Sequence, residues 1–467
     1  MRQWMVAAKK ADFYAIAEKF HVDPVVARII RNREVIGEKN IRIYLGGNLS
    51  DLSDPHQMKD MDRLVEILAQ KIRKQVHIRI IGDYDVDGVT SSHLFLTALR
   101  RVGAKVDVVI PHRIQDGYGL SLHLLQQAKE DGVDTILTCD NGIAAIDEIA
   151  WAKAQKMTVL VTDHHAVPFE EHEGRRTEKK SLADAVVNPH QQDCGYPYKE
   201  LCGAGVAWNV IRVLYENYDM DKREAEDLLD FVAMATVCDV MSLTGENRIL
   251  VKEGLKRIRH TKNIGLQALM QACNVQPENI SAYHFGYVLG PCVNATGRLD
   301  TARHALRLFE TGQETEAEEI ARDLVDLNQE RKELTLQGVE MAKKLCEEGG
   351  YENDPILVLF LPDVHESIAG LIAGRIREMY NRPVFVLTRG EEGVKGSGRS
   401  TENYSMYENM CGCAELFTKF GGHPMAAGLS LPEENVEKFR RKINENCPLT
   451  VEEAVSYTHL TLPTNSR

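Results

Sequence analysis

The sequence predicts an α/β protein in which a parallel sheet flanked by helices is joined by one long helix to a smaller α/β unit. Three observations predict it. Short β-rich runs alternate with helical spacing between Val76 and Val187, the order that builds a parallel sheet with helices on its faces. Glu316 to about Cys346 reads as one polar helix, a form suited to a connector. Beyond it, strand, helix and strand patterns resume.

Residues 1 to about 55 form a helical preface with little chemistry. Val76–Ile81 is a β-rich run ending at Gly82 and Asp83, and Ser92–Val102 has helical spacing. Val106–Ile110 is a strand, followed by a loop over Pro111–Leu120. Thr135–Thr138 is a strand leading to Asp140, Ala144–Gln155 a helix, Thr158–Thr162 a strand leading to Asp163, and Ala185–Val187 a further short strand. From Leu201 the chain turns mostly helical, and the apolar stretch Leu228–Val237 ends at Cys238 and Asp239. After the long helix come a strand over Ile356–Phe360, a helix over Ser367–Met379 and a strand over Pro383–Leu387. Gly396–Arg399 and Gly421–Gly428 read as glycine-rich loops.

With 467 residues, two or three domains are expected. The hydrophobic (43%) and charged (27%) fractions are those of a globular protein, without an apolar run long enough to span a membrane. The N-terminus lacks a signal-peptide core, so a cytoplasmic location is expected. The ten cysteines include no C-x-x-C pair, which argues against a zinc ribbon. A net charge of −13 weighs against nucleic acid as a partner only at first sight, since carboxylates gathered around a metal count as negative until it binds. Two local basic clusters stand out: Lys252, Lys256, Arg257, Arg259 and Lys262, and Arg175, Arg176, Lys179 and Lys180. Ser456–Arg467 resembles translated adapter or vector sequence, and the natural protein is expected to continue beyond it.

The strongest chemical signal is Asp83-Tyr84-Asp85-Val86-Asp87-Gly88. If the strand continues, its alternate residues share a face and the three carboxylates converge. Crowded carboxylates repel, and a divalent cation relieves that cost. Gly88 then turns the chain into the next helix. An EF-hand loop starting at Asp83 would need Glu at its twelfth position, where Leu94 stands, so that reading fails. Two further strand ends carry Asp140-Asn141-Gly142 and Asp163-His164-His165, and ligands of open parallel sheets bind beyond the carboxyl ends of the strands. Asp239 is a fourth candidate. Oxygen and imidazole ligands together suit Mn²⁺, with Mg²⁺ workable, and two such ions point to phosphoryl chemistry.

Asp83-Tyr84-Asp85-Val86-Asp87-Gly88-Val89-Thr90-Ser91, Cys139-Asp140-Asn141-Gly142 and Asp163-His164-His165 together resemble motifs I to III of the DHH phosphoesterases, over roughly Val76–Leu429. The D-x-D-x-D form, Gly117-Tyr118-Gly119-Leu120 and Asn294-Ala295-Thr296-Gly297-Arg298 are similar to the RecJ branch, exonucleases specific for single-stranded DNA. The resemblance implies that Asp87, Asp140, His164 and Asp239 hold one metal. Asp85 and Asp140, with Asp83 nearby, serve a second, so that Asp140 bridges the two. It also implies that Asp163 orients the histidines and that His165 meets the scissile phosphate. Gly396-Ser397-Gly398-Arg399-Ser400 and Gly421-Gly422-His423-Pro424-Met425-Ala426-Ala427-Gly428 resemble the DHHA1 domain. Glycine-rich loops expose backbone N–H groups to an anion, and Arg399 can grip a phosphate. Ser397, Arg399, Ser400, Gly422 and His423 are therefore expected to contact substrate, as are Arg298 and His365.

The expected organisation is a helical segment (1–55), a DHH catalytic domain (56–300), a helical connector (301–350), a DHHA1 domain (351–453) and a non-native tail (454–467). The oligonucleotide-binding barrel usual in the RecJ branch is expected to be missing. The implied activity is 5′→3′ digestion of single-stranded DNA to 5′-mononucleotides in DNA repair and recombination. The resemblance adds a single-strand-binding protein and a helicase as partners. The rival readings are a DHH phosphodiesterase acting on short oligoribonucleotides or cyclic dinucleotides, a non-catalytic replication scaffold, and an inorganic pyrophosphatase.

Overall fold

The computed structural model describes residues 4–5, 9–113, 116, 119–172, 175–351, 353–390, 393–450 and 459–460. Gly117, Tyr118 and most of the Ser456–Arg467 tail lie outside the described residues, as do the side chains of Arg175 and Arg176. The chain divides into two compact units, one spanning Lys9–Asn328 and the other built mainly from Gln329 onward.

The first unit is centred on a five-stranded, wholly parallel sheet: β1 (Ile78–Ile81), β2 (Val106–Val109), β3 (Thr135–Cys139), β4 (Thr158–Thr162) and β5 (Ala185–Val187), in the order β2-β1-β3-β4-β5. Alternate residues serve opposite faces. Ile78, Ile80, Leu137, Cys139, Leu160 and Val187 pack into the larger core, while Ile81, Ile136, Val159, Val161 and Val186 face a smaller one with Leu125 and Ile149. Both faces are covered, so these strands read as near-continuous apolar runs. Arg79 is the exception within β1. Its buried guanidinium is matched by Asp107, through bonds of 3.0 and 2.6 Å, and by Asp131 at 2.8 Å.

The helix after β1 starts earlier than its spacing suggests. It is α1 (Val86–Arg101), and Asp85 is its N-cap, with Oδ1 accepting from Gly88 N at 3.0 Å. Asp83, Asp85 and Asp87 are therefore not alternate residues of a continuing strand. The chain leaves β1 at Ile81, turns through Asp83 and Tyr84, and enters the helix at Val86. Gly88 sits inside the first turn of α1, and a Cβ there would lie 2.5 Å from Asp83 O; close approach, not a turn, requires glycine.

Between β4 and β5 lies an antiparallel hairpin, Phe169–His172 with Arg175–Glu178. The helical region includes α2 (Gly203–Asn217), α3 (Leu229–Cys238) and α4 (Gly290–Leu299). Much of the Lys252 cluster is tied into this region. Lys252 Nζ donates to Gly47 O, Lys256 pairs with Glu253, and Arg257 binds Glu226.

The long helix, α5, runs over Glu314–Glu348. Ala317, Ala321 and Leu324 belong to the core of the first unit, and Val339, Ala342 and Cys346 to that of the second. The second unit carries its own five-stranded sheet: β6 (Leu357–Phe360), β7 (Val384–Gly390), β8 (Gly393–Arg399), β9 (Lys419–His423) and β10 (Ala426–Leu431), ordered β9-β10-β8-β7-β6. Among the described residues of this sheet, only β6 and β7 pair in parallel. Helix α6 (Ala369–Tyr380) packs on β7 and β8. Trp4–Met5 pairs in parallel with His459–Leu460. Among the described residues no helix is long and apolar enough to cross a membrane.

Here the glycine-rich segments differ from expectation. Gly396–Arg399 lies within the antiparallel strand β8, paired on both sides, and Gly421–Gly428 is a hairpin in which β9 and β10 pair across a turn at Pro424 and Met425, so neither is an open loop. A Cβ at Gly396 would meet Leu387 and Leu429, and one at Gly398 would meet Met406 and Phe385; these glycines make room for apolar side chains.

Candidate metal centre

The three acidic strand ends meet at one rim of the parallel sheet. Ligand atoms of Asp87, His164 and Asp239 lie within 4.8 Å of one another, and so do those of Asp83, Asp85 and Asp140. Asp140, His164 and His165 form a third such group, so Asp140 and His164 connect all three. His164 Nε2 is 3.1 Å from Asp140 Oδ1, 3.6 Å from Asp239 Oδ2 and 3.7 Å from Asp87 Oδ2.

Each donor is set by its local backbone. Asp140 follows β3 with φ 62°, a left-handed conformation that Asp tolerates better than most residues. Asn141 braces that turn by donating to Ile81 O (3.0 Å) and Cys139 O (2.9 Å). Asp239 caps the C-terminus of α3. Asp87, in the first turn of α1, is held by an element that sequence reading missed: Gly203 N and Ala204 N, at the start of α2, donate to its two carboxylate oxygens at 2.6 and 2.7 Å. The N-terminus of a helix favours such an anion. A Cβ on Gly203 would come within 2.6 Å of Asp140 Cβ, so glycine is needed for this approach. The only sequence signal was a Cys-Gly-Ala-Gly opening an apolar helix.

Asp163 is buried and collects donors. Its Oδ1 accepts from His164 N (2.7 Å), His165 N (3.1 Å) and His165 Nδ1 (2.8 Å), and its Oδ2 from Ile143 N (2.9 Å). Burial raises its carboxyl, but the bond and charge of His165 and the backbone donors outweigh that and hold it below the usual range. His165 responds in the opposite sense. Burial lowers it, yet Asp163, Asp239 and Asp87 take it up to about 9. Its side chain is 44% exposed, whereas that of His164 is 8% exposed.

The remaining carboxyls repel one another. Asp83, Asp85 and Asp140 are pushed up by burial first and by neighbouring carboxylates second. The same causes take Asp239 to about 8. Burial lowers His164, favouring the neutral imidazole that a metal requires. Asp83 Oδ1 and His164 Nε2 are buried without a hydrogen bond. Buried acceptors left in this state, among acids that raise one another, fit divalent cations.

In the second unit, Ser397 and Arg399 lie on one face of β8 and approach the N-terminus of α6: a Cβ on Gly370 would be 2.8 Å from Arg399 Nη2 and 3.6 Å from Ser397 Cβ. Ser400 is different. It is buried, and its hydroxyl donates to Tyr404 O at 2.6 Å, bracing the following turn. His423 is exposed at the end of β9, and a Cβ at the neighbouring Gly422 would lie 2.5 Å from Ala426 O. His365 precedes the short turn into α6, with Nδ1 2.6 Å from Ser367 Oγ. In the first unit, Arg298 stands in the last turn of α4.

Residues 77–236 match the DHH family, N-terminal domain, and residues 353–447 match the DHHA1 domain. The chain is 36% identical over 440 residues to the single-stranded-DNA-specific exonuclease RecJ of Haemophilus influenzae, covering 90% of this chain and 74% of that one. It is 34% identical to the Bacillus subtilis RecJ, covering 94% of this chain and 54% of that one. Among solved structures, RecJ of Thermus thermophilus in complex with Mn²⁺ superposes with a TM-score of 0.79 at 28% identity, over 95% of this chain and 62% of that one. An exonuclease RecJ bound to manganese matches with a TM-score of 0.73 at 31% identity, over 85% of this chain and 96% of that one. Motifs, fold and overall identity agree: the chain belongs to the RecJ family of DHH-type exonucleases.

Proposed function

We propose that this chain is a metal-dependent exonuclease that hydrolyses single-stranded DNA from the 5′ end and releases 5′-mononucleotides. The observation that carries this reading is the gathering of Asp83, Asp85, Asp87, Asp140, His164, His165 and Asp239 at one rim of the parallel sheet.

In this reading Asp87, Asp140, His164 and Asp239 hold one divalent cation, Asp85, Asp140 and Asp83 a second, and Asp140 joins the two sites. Mn²⁺ or Mg²⁺ there would supply Lewis-acid activation of water and neutralise charge on the phosphate. The chain's residues do the rest. The start of α2 fixes the Asp87 carboxylate in one orientation. Asp163 accepts from Nδ1 of His165 and raises the proton affinity of the ring, which leaves Nε2 to donate to a phosphate oxygen. In the second unit, Ser397, Arg399 and the start of α6 offer a separate phosphate contact, to which we assign His365 and His423 as neighbours. Arg298 is assigned to the substrate on the first unit.

A single-strand-binding protein and a helicase as partners, a cytoplasmic site of action and a role in repair and recombination are proposed on family resemblance alone. The test is incubation with single- and double-stranded DNA labelled at either end, plus Mn²⁺. Mononucleotides released first from a 5′-labelled single strand are expected. Digestion confined to dinucleotides would favour the small-substrate phosphodiesterase, and no digestion would favour a scaffold.

A further inference from the structure

One element contacts two of the metal-bearing segments of the chain and presents aromatic rings to solvent. Phe285–Leu289 forms a π-helical turn that runs directly into α4, and π turns are rare and concentrate at functional sites. Cys238 Sγ donates to Phe285 O at 3.3 Å, and a Cβ on Gly290 would lie only 2.3 Å from that sulfur. Farther along, Asn294 Oδ1 accepts from Val86 N at 3.2 Å, and Gly297 packs against Tyr84 O. The element thus leans at one point on the residue before Asp239 and at another on the chain between Asp83 and Asp87.

Tyr283 and Tyr287, four residues apart and so on one face, stack at a centroid distance of 5.1 Å with 25° between ring planes. They are 62% and 72% exposed. Val240, which directly follows Asp239, is 88% exposed. These exposed side chains stand on, or directly follow, segments tied by Cys238 to the end of α3 and by Asn294 to the Asp83–Asp87 turn.

We propose that Tyr283 and Tyr287 form a stacking platform for the unpaired bases of the strand whose phosphate is cut at the metal centre. The proposal rests on the exonuclease reading and extends it to the bases. Every nucleobase has a π face, so such a platform holds a strand without reading its sequence. Bases of a duplex are stacked on one another, so the platform favours an unpaired strand. It also suits a chain of net charge −13, because stacking does not depend on a basic surface.

The test uses the full chain with Ca²⁺ in place of Mn²⁺ and compares, by fluorescence anisotropy, an oligothymidylate with an abasic strand of equal length and charge. The wild type should prefer the strand that carries bases by about tenfold or more. Y283A/Y287A should lose that preference, with the abasic strand bound as before. With Mn²⁺, KM for the oligothymidylate should rise about tenfold while kcat is unchanged. Y283F/Y287F, which keeps both rings, should behave as the wild type. A double alanine variant that still prefers bases overturns the platform, and so does one that loses affinity equally for both strands. If the wild type cuts no single strand with Mn²⁺, the exonuclease reading fails instead, while the binding comparison still judges the platform.

Discussion

His164 Nε2 lies 3.1 Å from Asp140 Oδ1, and the two residues follow the adjacent strands β4 and β3. Neighbouring parallel strands bring residues far apart in sequence to one edge, where a cation can be shared. Asp140→Ala removes the proposed bridging ligand. Cleavage with Mn²⁺ should fall by more than about a hundredfold. The apo fold should stay intact, because the change also relieves a buried carboxyl crowded by Asp87, Asp85 and Asp83. Retained activity with unchanged metal affinity would remove Asp140 from the centre.

Asp163 should act by positioning. Asp163→Asn keeps the volume but loses the charge that holds His165 up at about 9. The His165 resonance in NMR should titrate at lower pH, and kcat should fall by about ten- to a hundredfold. An unaltered His165 titration would show that Asp163 does not set its charge.

Mn²⁺ should stabilise the first unit. The metal binds the folded cluster and not the dispersed chain, which at a hundredfold excess over Kd is worth about 2.7 kcal/mol. The melting temperature should rise with Mn²⁺ and return on chelation. Asp83→Ala/Asp87→Ala should show much less of this response; an equal response would point to a different site.

Much of this arrangement is legible in the sequence. The strand ends at Asp140 and Asp163 announce themselves, because apolar runs stop abruptly at acids and parallel sheets bind at that edge. The path through Asp83, Asp85 and Asp87 is less legible. Alternating carboxylates suggest a strand, but Asp85 is an N-cap, and capping draws the next residues into helix. Gly203 was hidden because its role depends on contact with Asp87 and Asp140, which no local spacing reveals. Gly396 and Gly398 misled in the other direction: glycine suggests a loop, yet here it clears space in a strand for Leu387, Leu429, Met406 and Phe385.

Arg399→Ala should weaken substrate binding more than metal binding. Its guanidinium lies close to the start of α6 beside Ser397, where a phosphate would find both a cation and helix N–H groups. KM for a 5′-phosphorylated strand should rise by about tenfold or more, with Mn²⁺ affinity unchanged. Equal KM for wild type and variant would count against a phosphate contact there.

Val240 offers a stability test. Helix α3 ends in a Schellman pattern, with Met241 N donating to Thr236 O and Val240 N to Val237 O, both at 3.2 Å. Val240 therefore occupies the left-handed position that glycine usually fills, at φ 59°. A β-branched residue is strained there by about 1–2 kcal/mol. Since its side chain is exposed, Val240→Gly should raise unfolding free energy by about 1 kcal/mol in urea, part of the relief being lost to the freer unfolded chain. A destabilised variant would mean that the side chain makes contacts worth more than the strain.

Asp230 gives a pH signature separate from the metal centre. Burial takes its carboxyl up to about 6, although Thr261 Oγ1 donates to Oδ2 at 2.7 Å and Phe231 N to Oδ1 at 2.8 Å. Unfolded, it returns to the ordinary value of 3.8. Between those two values the folded chain holds a proton that the unfolded chain has released, so stability falls as pH rises through the window and is level above it. The difference is worth roughly 3 kcal/mol. Asp230→Asn removes the titrating group while keeping an acceptor for Phe231 N. Urea unfolding between about pH 4 and 6.5 should show the wild type losing stability relative to Asp230→Asn. Parallel curves for the two proteins would mean that Asp230 keeps its charge in the fold, and that Thr261 and the backbone donors outweigh its burial.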